Sequence, residues 1–77
     1  MKVKIYSTPQ CHFCHLAKNF FKENDIEFED IDVSTNREAS QEMIEKSGQM
    51  GVPVIEINGK IIVGFNVSEI KKELKLK

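Results

Sequence analysis

Val3-Lys4-Ile5-Tyr6-Ser7-Thr8-Pro9-Gln10-Cys11-His12-Phe13-Cys14-His15-Leu16-Ala17-Lys18-Asn19-Phe20-Phe21 changes its hydrophobic period halfway along, and that change decides the fold. Val3–Ser7 is short, rich in Val, Ile and Tyr, and runs into polar Thr8-Pro9-Gln10, the pattern of a strand ending in a tight loop. From Phe13 the apolar residues recur at Phe13, Leu16, Ala17, Phe20 and Phe21, one face of a helix predicted from about Cys11 to Glu23. Asn24-Asp25 supplies its stop. Ile26, Phe28 and Ile31 then punctuate an acidic stretch whose Glu27–Asp32 portion is predicted as a second strand. Strand, crossover helix and strand form a βαβ unit, which is expected to be right-handed and parallel.

Downstream, Ser34, Thr35 and Asn36 are all good helix N-caps, and Thr35 with Glu38 has capping-box spacing. A second helix is predicted, with Ala39, Met43 and Ile44 inward and Gly48 as its C-cap. Val52–Ile57 reads as a strand opened by Pro53, Asn58-Gly59 as a two-residue hairpin turn, and Lys60–Val63 as the returning strand. Asn66 and Glu69 repeat the capping-box spacing before a short helix that turns Ile70, Leu74 and Leu76 inward. The expected order is β-α-β-α-β-β-α: an α/β fold with a four-stranded mixed sheet flanked on both faces by three helices.

At 77 residues the chain is expected to be one domain spanning residues 1–77. Eleven basic against twelve acidic side chains leave a formal charge of −1, which offers no field to attract nucleic acid or an anionic membrane. Met1–Tyr6 turns polar too soon for a signal peptide, and no stretch reaches the roughly 20 apolar residues of a spanning helix. A cytoplasmic monomer is therefore expected, free of membrane and nucleic acid.

Cys11 and Cys14 are the only cysteines, and a bridge between them closes too small a loop to act as a staple. In a reducing compartment such a pair serves redox or metal chemistry. Only the thiolate attacks, and a free cysteine with a pKa of about 8.5 is mostly protonated at neutral pH. Cys11 falls where the loop enters the first helix, so unpaired N–H groups and the positive end of the helix dipole favour its thiolate. Cys14, three residues on, lies deeper on the same side. Cys11 is thus the candidate nucleophile and Cys14 the resolving thiol of a disulfide exchange. His12 is either a partly charged neighbour that stabilises the thiolate further or an uninvolved surface residue. Lys18, one turn past Cys14, either adds to the field at the thiolate or is an ordinary surface lysine. Phe13 is the candidate for an exposed contact with substrate, with Phe20 and Phe21 in the core and Met43 and Met50 as core fillers. Val52-Pro53 at a strand start leaves the backbone groups of Val52 free to pair with an extended substrate.

Ile5-Tyr6-Ser7, Cys11–Lys18, Gly51-Val52-Pro53 and Val63-Gly64-Phe65, in this order and spacing, resemble a glutaredoxin, or one of the small glutaredoxin-like redoxins that include ribonucleotide-reductase electron donors. The resemblance spans essentially the whole chain. It implies a thioredoxin-like fold, Cys11 as nucleophile, Cys14 as resolving thiol, a cis Pro53 facing them, and substrate contacts from His12, Phe13, Val52, Pro53, Gly64 and Phe65. It also implies a disulfide-containing protein as substrate, no bound cofactor, and glutathione as co-substrate or thioredoxin reductase as reductant. Departures from the glutaredoxin pattern bear on that choice. His12 and Phe13 replace the Pro and Tyr of the usual C-P-Y-C, and Thr8 replaces a glutathione-binding lysine. Val63-Gly64 stands for Gly-Gly and Asn66-Val67 for the Asp-Asp that holds the glutathione amino end. Gly64-Phe65 is similar instead to redoxins served by thioredoxin reductase, though their preceding Trp-Ser is absent.

Two rival readings attach to the same cysteines. Cys11 to His15 spells C-x-x-C-H, the attachment pattern of c-type haem, but no export signal or porphyrin-sized core accompanies it. Cys11, Cys14, His12 and His15 also offer soft metal ligands; with no second ligand pair in the chain, that reading requires an iron-sulfur cluster or metal shared between two chains.

Overall fold

The computed structural model describes residues 2–75. Its elements are β1 (Val3–Ser7), α1 (His12–Glu23), β2 (Glu29–Asp32), α2 (Arg37–Ser47), β3 (Val54–Ile57), β4 (Lys60–Val63) and α3 (Val67–Leu74), in the expected order. The four strands form one mixed sheet, β2-β1-β3-β4. β1 runs parallel to β2, with Lys4 opposite Glu29 and Ser7 opposite Asp32, and antiparallel to β3, with Val3 opposite Ile57 and Tyr6 opposite Val54. β4 returns antiparallel to β3 through Asn58-Gly59, both at positive φ as a two-residue hairpin requires. No helix among these residues is long and apolar enough to cross a membrane.

Period-two alternation along the strands sorts the core into two layers. Val3, Ile5, Ile55, Ile57 and Ile62 face α1 and α3, where they bury Ala17, Phe21, Ile70 and Leu74. On the other face Tyr6 and Val54 pack with Met43 of α2. Tyr6 is fully buried, yet its hydroxyl donates to Glu42 Oε1 at 2.7 Å. Lys46 Nζ joins that carboxylate at 3.0 Å and reaches Glu56 on β3 at 2.7 Å, tying α2 across the sheet. Burial first, then the bond to Glu42, holds the Tyr6 hydroxyl above the ordinary tyrosine range.

Several boundaries differ from the sequence reading. α1 begins at His12, with Cys11 as its N-cap. β2 begins at Glu29 rather than Glu27, because Ile26 and Phe28 leave the strand alternation to pack onto the α1/α3 layer. β3 begins at Val54 rather than Val52, since a proline has no N–H to give the ladder. Met50, read as a core filler, is 78% exposed in the loop before β3, and Phe20 is half-buried at the margin of the core. Leu76 lies outside the described residues.

The cap of α2 is Asn36, not Thr35: the Asn36 side chain accepts the Ala39 N–H at 3.0 Å, and Gly48 closes the other end in the left-handed conformation. Asn36→Ala is therefore expected to lower stability by about 1 kcal/mol. Urea unfolding of the two proteins measures this, and an unchanged midpoint would return the cap to Thr35.

Candidate active site

Cys11 holds the position where serine or aspartate usually caps a helix. Its backbone is extended (φ −81°, ψ 111°) and its Sγ accepts the Cys14 N–H at 3.1 Å. A sulfur there takes a hydrogen bond from an otherwise orphan donor and sits at the positive end of the helix dipole. The first turn of α1 holds no acidic residue to offset that field. The loop is fixed as well. The Cys11 N–H bonds to the Thr8 carbonyl at 3.2 Å, and the exposed imidazole of His15, with its proton on Nε2, donates to the Pro9 carbonyl at 2.8 Å.

Cys14 is the opposite kind of thiol. It is fully buried, whereas Cys11 is partly exposed, and both are free. Burial first, then its hydrogen bond with Cys11 and the Cys11 charge, pushes the Cys14 thiol from 9.0 up to about 12, against the opposing pull of the Thr8 backbone and Lys18. At neutral pH Cys14 is a proton-bearing thiol beside the capping sulfur.

The sheet carries the opposing residues to the same end of the molecule. Val54 pairs with both Tyr6 and Val63, so Val52-Pro53 and Gly64 lie beyond the end of β1, from which the cysteine loop departs. The Val52-Pro53 peptide is cis, Pro53 is buried, and its carbonyl accepts the Gly64 N–H at 2.9 Å. Gly64 has φ 82° with open space where a Cβ would stand, so backbone conformation rather than crowding calls for glycine. Phe65, grouped with the substrate contacts from sequence, is half-buried and sets its ring edge-on against Phe20 at 6.0 Å, at the margin of the core.

Within α1 the buried row is Cys14, Ala17 and Phe21; the row beside it is covered only gradually, from Phe13 at 59% exposed through Leu16 at 36% to half-buried Phe20. The sequence reading placed Leu16 on the inward face because the apolar stripe is wider than the sheet can cover. Phe13, Leu16, Met50 and Val63 are the large apolar side chains left exposed among the described residues, and all belong to segments at this end. His12, also exposed, packs edge-on to Phe13 at 5.6 Å. The ion pair on α1 also escaped the sequence reading: Lys18 bonds Asp30 on β2 at 3.0 Å, and Asp30 accepts from the buried Ser7 hydroxyl at 2.6 Å. Only strand register, which brings Asp30 beside β1, could have pointed to it. Among the described residues no three His, Cys, Asp or Glu side chains converge on a metal-sized site.

The Glutaredoxin family model matches residues 3–62. A glutaredoxin-like 8.6 kDa protein of a rubredoxin operon from Clostridium pasteurianum is 49% identical over 70 residues, covering 91% of this chain and 93% of its own. Glutaredoxin 3 of Escherichia coli is 34% identical over 62 residues, 80% of this chain and 75% of its own. Among solved structures, the glutaredoxin-like NrdH-redoxin from Escherichia coli, whose description gives it a thioredoxin-like activity profile, superimposes with a TM-score of 0.82 at 28% identity, covering 94% of this chain and 93% of that one. The chain belongs to the glutaredoxin family, has the thioredoxin-like fold, and is a thiol-disulfide oxidoreductase.

The buried thiol has a measurable cost at alkaline pH. A group whose folded value is raised contributes stability in full below its unfolded value, and that contribution is lost as pH rises through the folded one. For Cys14 the window runs from about 9 to about 12. The reduced protein should therefore lose melting temperature across that window faster than reduced Cys14→Ser. Parallel alkaline slopes for the two would show that Cys14 is solvated.

Proposed function

We propose that this glutaredoxin-family chain reduces protein disulfides by a dithiol route, with Cys11 as nucleophile and Cys14 as resolving thiol. The carrying observation is the asymmetry of the two sulfurs: one partly exposed and accepting an N–H at 3.1 Å as the helix cap, the other buried and held as a thiol. The Cys11 thiolate attacks one sulfur of the substrate disulfide, forming a mixed disulfide and expelling the first substrate thiolate. Cys14 then loses its proton to solvent and attacks Cys11 Sγ; the Cys11–Cys14 disulfide forms and the second substrate thiolate leaves. Two electrons have passed from protein to substrate, and an external reductant restores the dithiol.

Substrate binding is assigned to His12 and Phe13 beside the nucleophile and to Val52, Pro53 and Gly64 opposite it. An extended segment can pair with the Val52 backbone, as when a peptide adds to a sheet edge, while Phe13, Met50 and Val63 offer apolar contact. This rim suits a protein surface better than a small charged tripeptide. Uncharged Thr8 and Asn66 at the positions where glutathione contacts are usual point the same way, as does likeness to a redoxin with a thioredoxin-like profile. Thioredoxin reductase is accordingly favoured over glutathione as reductant.

Cys11→Ser should abolish reduction of a protein disulfide, and Cys14→Ser should accumulate a substrate adduct visible by mass spectrometry. Undiminished turnover by Cys14→Ser would exclude the dithiol route. With NADPH present, thioredoxin reductase should reduce the oxidised protein faster than glutathione with glutathione reductase; the reverse order would make glutathione the reductant.

A further inference from the structure

The Lys18–Asp30 pair joins two groups of unequal exposure. Lysine ammoniums ordinarily reach into water, yet only 16% of the Lys18 side chain is exposed, against 44% of Asp30. The carboxylate is anchored from beneath by the buried hydroxyl of Ser7, the last residue of β1. Burial opposes the charge on Asp30, but the Ser7 hydroxyl and Lys18 outweigh it and hold the carboxyl below its usual range. Ser7 precedes Thr8, whose carbonyl accepts the Cys11 N–H at 3.2 Å, and Lys18 follows Cys14 by one helical turn on the same side of α1. The Lys18–Asp30–Ser7 chain thus ties the Cys14 side of α1 to the end of β1, from which the cysteine loop departs.

Resting on the reading of Cys14 as the resolving thiol, the geometry points to Lys18 as a positioning residue for the second half-reaction: Asp30, fixed by Ser7, holds the Lys18 ammonium beneath α1, where its charge lowers the cost of forming the Cys14 thiolate. An ion pair this exposed adds little to stability, and an untethered lysine would carry its charge out to water. Lys18 is among the groups that ease Cys14 ionisation. Its charge matters most in the mixed disulfide. There Cys11 is neutral, Cys14 must give its proton to solvent, and the thiolate attacks Cys11 Sγ with release of the substrate thiolate.

The two halves separate in a stopped-flow reaction of the reduced protein with one equivalent of an aromatic disulfide that releases a coloured thiolate. Attack by Cys11 releases the first thiolate, and resolution by Cys14 releases the second. Loss of a nearby positive charge lowers the thiolate population about tenfold, and the greater basicity of the remaining thiolate returns part of the rate, leaving about a threefold slowing. Lys18→Gln should slow the second phase by that factor, and Lys18→Arg should restore it. In an Asp30→Asn background the effect of Lys18→Gln should shrink. Lys18→Met, which keeps the apolar stem, is the substitute if Lys18→Gln does not fold. An unchanged second phase in Lys18→Gln, equal slowing of both phases, no rescue by arginine, or a full Lys18→Gln effect in Asp30→Asn would overturn the assignment. Cys14→Ser separates this from the parent reading: a second release persisting there defeats the dithiol route itself, whereas its absence alongside a normal Lys18→Gln defeats only the role of Lys18.

Discussion

The proposed chemistry depends on a helix cap made by sulfur. The first N–H groups of any α-helix lack intrahelical acceptors, and most helices answer with the oxygen of Ser, Thr, Asp or Asn. α2 and α3 do this with Asn36 and Asn66, but α1 uses Cys11 Sγ, which accepts from Cys14 N–H. On the proposed route a requirement of secondary structure also places the nucleophile, because the group that satisfies the cap is the sulfur that attacks. Cys14 supplies that N–H, so its position relative to Cys11 is set by the helix itself and not by a flexible loop.

The sheet places everything else relative to that cap. β1 must end where α1 begins, β3 runs antiparallel to β1, and the start of β3 therefore falls beside the end of β1. The hairpin returns β4 to the same end, where the Gly64 N–H closes on the Pro53 carbonyl. Residues more than forty positions apart in sequence are brought to one edge by register alone. The core excludes water from Cys14 but stops short of the outer row of α1, leaving Phe13 and Leu16 uncovered at the edge to which the proposed route brings a partner disulfide.

The order of elements and the position of Cys11 and Cys14 at the start of α1 were legible from sequence because they rest on local signals: the period change after Ser7, the Asn58-Gly59 turn and the C-x-x-C at a helix start. The errors came where tertiary packing overrides such signals. The α2 cap was an open choice rather than an error: Ser34, Thr35 and Asn36 are all competent, and only the backbone path into α2 selects Asn36. Met50 looks like core by type but lies in a loop between Ser47, whose hydroxyl turns back to Met43, and Gly51, whose carbonyl takes the Gln49 amide. The Ser7–Asp30–Lys18 chain was hidden for a different reason. Its members come from three elements, and Asp30 reads as one more charge on an acidic edge strand.

The asymmetry of the thiols also carries a sense of timing. Two of the influences that hold Cys14 protonated are its hydrogen bond with Cys11 and the Cys11 charge. On the proposed route both change once Cys11 enters a mixed disulfide, because the sulfur is then neutral and a weaker acceptor. Burial remains, and so do the Thr8 backbone and the Lys18 ammonium, which favour the thiolate. Cys14 is thus hardest to ionise while Cys11 needs a proton-bearing neighbour, and easier to ionise when the intermediate has to be resolved. A more solvated resolving thiol would ionise earlier and compete with Cys11 for the first attack. On that route the burial of Cys14 beneath the cap orders the two steps, in addition to hiding one sulfur.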